Sequence, residues 1–327
     1  MENTAITTAS NTTNANPNRG SFQFTCETPE RLIDAVARLF DSRATALVLI
    51  ERGGAWIERE RVRAPDAMLL PGMRVSIHTP PDHATPCALT PAHIIYHDRW
   101  LIAINKPAGT YVDATPWDAD NHLRQALTTL WQSQYGETLT LHPAHRLDRD
   151  TTGVLLFTRH AHANPAIQRI FVHHQAHKRY LCHVYGTPDW QTKTIITGHG
   201  RTENGRFRIY QAENIGQKLL NGDVVKEMVT SFRVISHGPN STTWLLAIPK
   251  TGRTHQIRLH ATALGLPIVG DASHGRTDDT PPHRLHAWQL TLPHPIHEEQ
   301  LTLAAPLPVW APADLALDSA SDTMNDE

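Results

Sequence analysis

Apolar residues recur along this chain with two periods, and the switches between them set out its elements. Leu32, Ile33, Val36, Leu39 and Phe40 fall at helical spacing within residues 31–40, and a second helix-like run follows from Ser42 to Ile50. After Gly53 and Gly54 the pattern turns to strand-like alternation up to Val75-Ser76-Ile77. Residues 81–91 hold several prolines and read as a linker. Beyond it, residues 94–96 and 100–104 predict two strands about a turn at His97-Asp98, and residues 105–109 a further turn. Leu123, Ala126, Leu127, Leu130 and Trp131 share one face of a helix over residues 121–135, with Gly136 at its end. The short run Val154-Leu155-Leu156-Phe157 predicts a buried strand. Asn164-Pro165 reads as N-cap and first residue of a helix that turns Ile167, Ile170 and Phe171 inward. Residues 178–186 form a strand, and residues 230–235 and 243–248 a strand pair about Gly238-Pro239-Asn240. Residues 194–226, rich in Gly, Asn and Arg, predict hairpins and little more. The order of elements is that of an α+β protein.

Composition narrows the class. No stretch approaches ~18 uninterrupted apolar residues, so nothing here is expected to span a membrane. Residues 1–21 are rich in Asn and Thr and carry no basic start followed by an apolar core, which predicts a disordered leader. Cys26, Cys87 and Cys182 are odd in number and far apart, which argues against a disulfide framework and for a reducing cytoplasm. The formal charge of −2 argues at first against a polyanionic partner. Residues 311–327, expected to be a disordered tail, hold five acidic residues and no basic one, while Glu2 and Arg19 cancel. Setting the five tail acids aside leaves the body at +3. Local density matters more than the total. Residues 142–180 carry six Lys or Arg against two Asp, and residues 250–258 three against none.

The densest chemistry lies in residues 141–158, LHPAHRLDRDTTGVLLFT. A charge-dense loop that feeds a buried strand is costly unless its charges are paired or used. Arg146, Asp148, Arg149 and Asp150 could simply pair with one another on the surface. However, HRLDRDTTG resembles the catalytic motif of the RluA-type RNA pseudouridine synthases, with the family's catalytic aspartate at Asp148. IIYHDRWLIAINKPAG (residues 94–109), the K-x-Y of residues 178–180, KTGRTHQIRLH (residues 250–260), Gly270-Asp271, Leu285-His286-Ala287 and Ala305-Pro306-Leu307-Pro308 are similar to that family in the same order. The resemblance implies a pseudouridine synthase fold over residues 92–310: a mixed, mainly antiparallel sheet with flanking helices and a central RNA-binding cleft. Residues 22–80 resemble, more weakly, a small RNA-binding module; its usual Asn-Gly turn is missing, with Trp56-Ile57-Glu58 in that place.

By resemblance Asp148, Tyr180 and Arg258 are the catalytic residues. Arg146, His145, Lys106, Arg253, His255 and Gln256 are candidates to hold RNA, and Arg201, Arg206 and Arg208 could face it. Isomerising uridine adds and removes nothing overall, so no cofactor is expected, and an anionic carboxylate near the sugar or base is the central need. Arg258 would hold that carboxylate ionised, and Tyr180 could stack on the base or help remove its C5 proton. Four other readings compete. Asp148-x-Asp150-Thr resembles the motif of aspartyl-phosphate phosphatases, but there a buried strand precedes the motif, whereas here His142-Pro143-Ala144-His145-Arg146 does. Paired carboxylates for glycoside hydrolysis find no second acidic cluster. His173, His174 and His177 could chelate zinc, yet in a chain with 22 histidines such clusters arise by chance, and no metal is expected. An inactive RNA-binding protein of the same fold is the remaining alternative.

Overall fold

Both amphipathic stretches near the N-terminus are helical in the computed structural model of the chain, which describes residues 20–81, 86–203, 205–297, 299–315 and 317. Residues 1–19 of the expected leader, most of the acidic tail and part of the linker lie outside the described residues, and Ser21, the leader's expected last residue, opens the first strand.

The first compact unit comprises the chain up to Ala88 together with Asp113–Ala126. Its strands are β1 (Ser21–Thr25), β2 (Glu30–Arg31), β3 (Ala55–Ile57), β4 (Glu60–Val62), β5 (Met68–Leu69) and β6 (Arg74–His78), and its helices α1 (Leu32–Phe40) and α2 (Arg43–Glu51). Four strands pair in the order β1-β6-β3-β4, and β2 pairs with β5. α1 stops where Asp41 turns left-handed (φ 52°), and the Ser42 hydroxyl caps α2 by accepting from Thr45 N at 3.1 Å. Leu32, Val36, Ile50 and Ile77 are fully buried between helices and sheet, each stabilising by about 1.5–3 kcal/mol. The β3–β4 hairpin turns through Glu58 (φ 49°) and Arg59 (φ 75°), the geometry that Asn-Gly normally supplies. Asp113–Ala126 departs from the sequence boundary at residue 92, because side chains of this unit hold it. Arg61 Nη2 donates to Thr115 O (2.6 Å), Trp56 Nε1 to Pro116 O (2.8 Å), and Arg63 forks onto Asp120 (3.1 and 2.7 Å).

The second unit carries one large sheet. Its strands are β7 (Ile94–His97), β8 (Leu101–Lys106), β9 (His142–Pro143), β10 (Thr152–Thr158), β11 (His177–Tyr185), β12 (Thr192–Arg201), β13 (Phe207–Tyr210), β14 (Lys226–Gly238), β15 (Thr242–Pro249), β16 (Leu285–Pro293) and β17 (Gln300–Ala304). Nine of them follow the order β13-β12-β14-β15-β11-β16-β10-β8-β7, with β17 added on β16 and β9 on β10. Among the described residues every pairing in this sheet is antiparallel except β10 with β16, which join in parallel through Thr152–His286 and Gly153–Ala287. This parallel seam divides the sheet. α4 (Asn164–Val172) packs Ile167 and Ile170 across it, in one cluster with Leu101 and Val154 on one side and Leu290 on the other. Beyond β16, α5 (Gln256–Ala263) packs Ile257 and Ala261 against Cys182, Phe232 and Leu245.

Helix α3 (Leu123–Tyr135) agrees with the periodicity of its sequence. Asn164 does not: it is the first helical residue rather than the N-cap, and its side-chain oxygen accepts from the Thr158 hydroxyl. The hairpin expected in residues 194–226 is β12–β13, followed by irregular chain up to β14.

Candidate active site

The loop that carries Asp148 is built by the strand it precedes. β9 runs antiparallel to the end of β10, Ala144 N donates to Leu156 O (2.9 Å), and Leu156 N donates in turn to His145 Nε2 (3.3 Å). A side chain thus replaces the next rung of the ladder and frees the backbone to turn away. The returning limb is pinned from beneath. Lys106 is fully buried, and its Nζ donates to Arg149 O (2.6 Å) and Pro107 O (2.9 Å). Arg149 and Asp150 form a forked ion pair at 2.9 and 2.8 Å. Gly153 then enters the seam at φ +104°, where a Cβ would stand 2.2 Å from Ala287 O, so no other residue fits the motif here.

Between these anchors Asp148 faces α5. Its Oδ2 accepts from Arg258 Nη1 at 2.9 Å, and its Oδ1 lies 3.9 Å from His255 Nε2. Arg258 is nearly buried and has a second partner: Nε and Nη2 donate to Asp271 at 2.7 and 2.8 Å. One guanidinium therefore bridges two carboxylates, a planar task that a lysine cannot perform. Burial works against charge on Asp148, but His255 and Arg258 outweigh it and hold the carboxyl below its usual range. Burial likewise opposes charge on Asp271, and its bonds to Arg258 bring it down to about 2.

Asp148 opens into a cleft of about 600 Å³ lined by Arg146, Phe171, Lys178, Tyr180, Arg253 and Arg258 among others, a volume suited to a small organic group. Tyr180 stands on β11 beside a bulge after Arg179. Burial and then the Asp148 charge push its hydroxyl up, so it stays protonated. Burial and the neighbouring Arg253 bring Lys178 down to about 8. Asp148 is the acidic residue among the cleft-lining ones, against four Lys or Arg.

The structure brings together most of the sequence candidates. Asp148, Tyr180, Arg258, Arg146, His145, Arg253, His255 and Gln256 all line the cleft. Lys106, His145 and Gln256 have polar groups engaged within the protein. Lys106 is not a lining residue and serves the loop backbone. His145 uses its Nε2 on Leu156 N and stacks on Phe171; burial and then the Lys178 charge keep it neutral, at about 3. Gln256 is buried, accepts from Thr251 Oγ1 (2.7 Å) and Arg253 N (3.0 Å), and donates to Val229 O (2.9 Å). Sequence reasoning assigned no role to Asp271, His274 or Lys178, although Gly270-Asp271 and the lysine of K-x-Y were within its motifs. His177 is on β11, beyond the end of α4, and among the described residues no group of three or more His, Cys, Asp or Glu could hold a metal ion.

Comparison with known proteins agrees with this geometry. Residues 100–263 match the RNA pseudouridylate synthase family. The chain is 33% identical over 264 residues to RNA pseudouridine synthase 1 of Arabidopsis thaliana, covering 69% of this chain and 78% of that protein. It is 33% identical over 205 residues to the dual-specificity RNA pseudouridine synthase RluA of Haemophilus influenzae, covering 61% and 85%. Among solved structures, human RNA pseudouridylate synthase domain containing 1 superposes with a TM-score of 0.55 at 25% identity, covering 68% of this chain and 86% of that one. No helix of the described residues is long and apolar enough to cross a membrane. The chain belongs to the RluA-type family of RNA pseudouridine synthases.

Proposed function

We propose that this enzyme isomerises uridine at a chosen position of a structured ribosomal or transfer RNA, with Asp148 as the reacting carboxylate. The N1–C1′ bond breaks, the uracil turns, C5 bonds to C1′, and a proton lost from C5 is balanced by one gained at N1. The observation that carries this reading is the ionised Asp148, held at 2.9 Å by a nearly buried arginine in a cation-lined cleft beside Tyr180. An anion kept ready at that point can serve as nucleophile or base at the junction of sugar and base. Tyr180 offers a ring on which the uracil stacks, and its protonated hydroxyl lies within the same cleft. A paired base cannot reach this depth, so the target nucleotide leaves its stack, and exposed Arg146 fills the gap it vacates. Arg253 and Lys178 meet the flanking phosphates. Residues 92–310 carry the reaction. It needs neither electron nor group carrier, and no metal. Buried free thiols at Cys26 and Cys182 suit a reducing cytoplasm.

Unmodified ribosomal and transfer RNA transcripts carrying tritium at uridine C5 provide the test. Wild type should release tritium to water with EDTA present. Asp148→Asn should release at least about 10³-fold less while still retaining RNA. RNA retention without release by wild type on any transcript would instead support a binding-only protein.

A further inference from the structure

Asp148 meets one basic side chain at each of its oxygens, Arg258 at Oδ2 and His255 at Oδ1. Both trace back to one residue outside the cleft. Asp271 is 2% exposed, and its oxygens accept four bonds: two from Arg258, and those from Ser273 N and His274 N, each 3.1 Å. The His274 backbone is fixed from its other side as well, since Thr262 Oγ1 of α5 donates to its carbonyl at 2.6 Å. So anchored, the His274 ring sets Nε2 at 2.7 Å from His255 Nδ1. His255 itself stands in the left-handed region (φ 58°) at the start of α5, where a β-carbon is strained and something must hold it. Burial, then the Arg258 charge, brings His274 down to about 4, so its ring is neutral and able to accept a proton donated by its neighbour.

We propose that Asp271 is the positioning residue of this site, orienting Arg258 directly and His255 through His274, so that both oxygens of Asp148 are held for reaction. With His255 as the imidazolium that pairs with the Asp148 carboxylate, its Nδ1–H is donated to His274 Nε2 and its Nε2–H is directed at Asp148 Oδ1. This inference rests on the pseudouridine synthase reading, since it assigns roles around that reading's reacting carboxylate. Asp271 and His274 act through other groups and touch no substrate.

The test compares Asp271→Asn, His274→Phe and His274→Gln with wild type by tritium release, RNA affinity and thermal midpoint. Asp271→Asn should lower kcat by about 10²-fold, the cost of misplacing a reacting group by about an ångström. His274→Phe keeps the ring volume but not the acceptor, and should lower kcat by about 10-fold at unchanged KM and RNA affinity. His274→Gln restores an acceptor and should recover most of the loss. A His274→Phe protein with wild-type kcat, or one whose loss lies in KM alone, would overturn the inference even with the family reaction intact. A wild type that released no tritium would sink the functional reading instead. The nitrogen-15 spectrum of histidine-labelled protein decides the link without activity. It should show His255 protonated at Nδ1 in a hydrogen bond that disappears in His274→Phe, and a His255 spectrum indifferent to that change overturns the proposal.

Discussion

The two units of this protein both carry many basic side chains, and they use them in opposite ways. In the first unit arginines find acids near at hand: Arg38 with Glu30 at 2.6 Å, Arg63 with Asp120 at 2.7 Å, Arg74 with Glu58 at 3.3 Å, and Arg43 with Asp34. These pairs are exposed and contribute little stability each, but they neutralise the surface they cover. In the second unit Arg146, Lys178 and Arg253 line one cleft together with Arg258, which Asp148 and Asp271 already engage. The net charge of −2 hides this contrast. Field at a site follows from which cations are left without acids, not from how many the chain contains. On charge alone the cleft offers a polyanion more unbalanced cations than the paired surface of the first unit does.

Glycines allow the comparison to be broken most severely. Gly153→Ala in the seam adds a left-handed backbone penalty to a clash with Ala287 O at 2.2 Å, and should cost about 3 kcal/mol or more in urea unfolding. Gly72→Ala in the first unit shares the strained backbone (φ +90°) but meets nothing within 4 Å. It should cost only about 1–2 kcal/mol, and equal losses would remove the steric account of the seam. Next in size, Arg258→Lys keeps the charge but cannot serve Asp148 and Asp271 together. A fall in kcat of about 10²-fold is expected from losing that preorganised contact, and wild-type turnover would refute the bridging role.

Smaller effects sharpen the electrostatic contrast. Arg146→Ala and Arg253→Ala should each reduce the slope of log affinity against log salt by about 1. Arg38→Ala should leave it unchanged, and the reverse ranking would return RNA binding to the first unit. The finest effect concerns Lys178, whose folded value of about 8 lies below its ordinary 10.5. Charged, it disfavours the folded state, so its contribution to stability improves as pH rises from about 8 to 10.5. RNA affinity moves the other way and should weaken as pH passes about 8. That dependence should flatten in Lys178→Met, and a persistent slope would assign it to another group.

Much of this was legible in the chain because it is local. Asp148 and Gly153 share a contiguous run that fixes both the loop and the strand beneath it, and α1, α3 and α4 follow the spacing of their apolar residues. Tyr180 and Arg258 were reached by resemblance rather than by physics, as no local pattern marks a strand tyrosine or a helical arginine as special. Asp271 stayed without a role for a related reason: its partner is 13 residues away, and their contact exists only once α5 has docked. The burial of Lys106 under two carbonyls was not legible in a lysine that precedes a Pro-Ala-Gly turn, since it follows from how the turn folds. The boundary at residue 92 missed Asp113–Ala126 because hydrophobic pattern does not report which surface will grip a polar loop.

The parallel seam between β10 and β16 gives the molecule a division of labour. The reacting loop hangs from the one junction, among the described residues, where two antiparallel parts of the sheet are stitched together, inside the sheet rather than at its outer edges, β7 and β13. Edge strands and their loops can be lengthened, shortened or recharged while the junction keeps its register. Its margins can thus be recast without disturbing the register from which the reacting loop hangs.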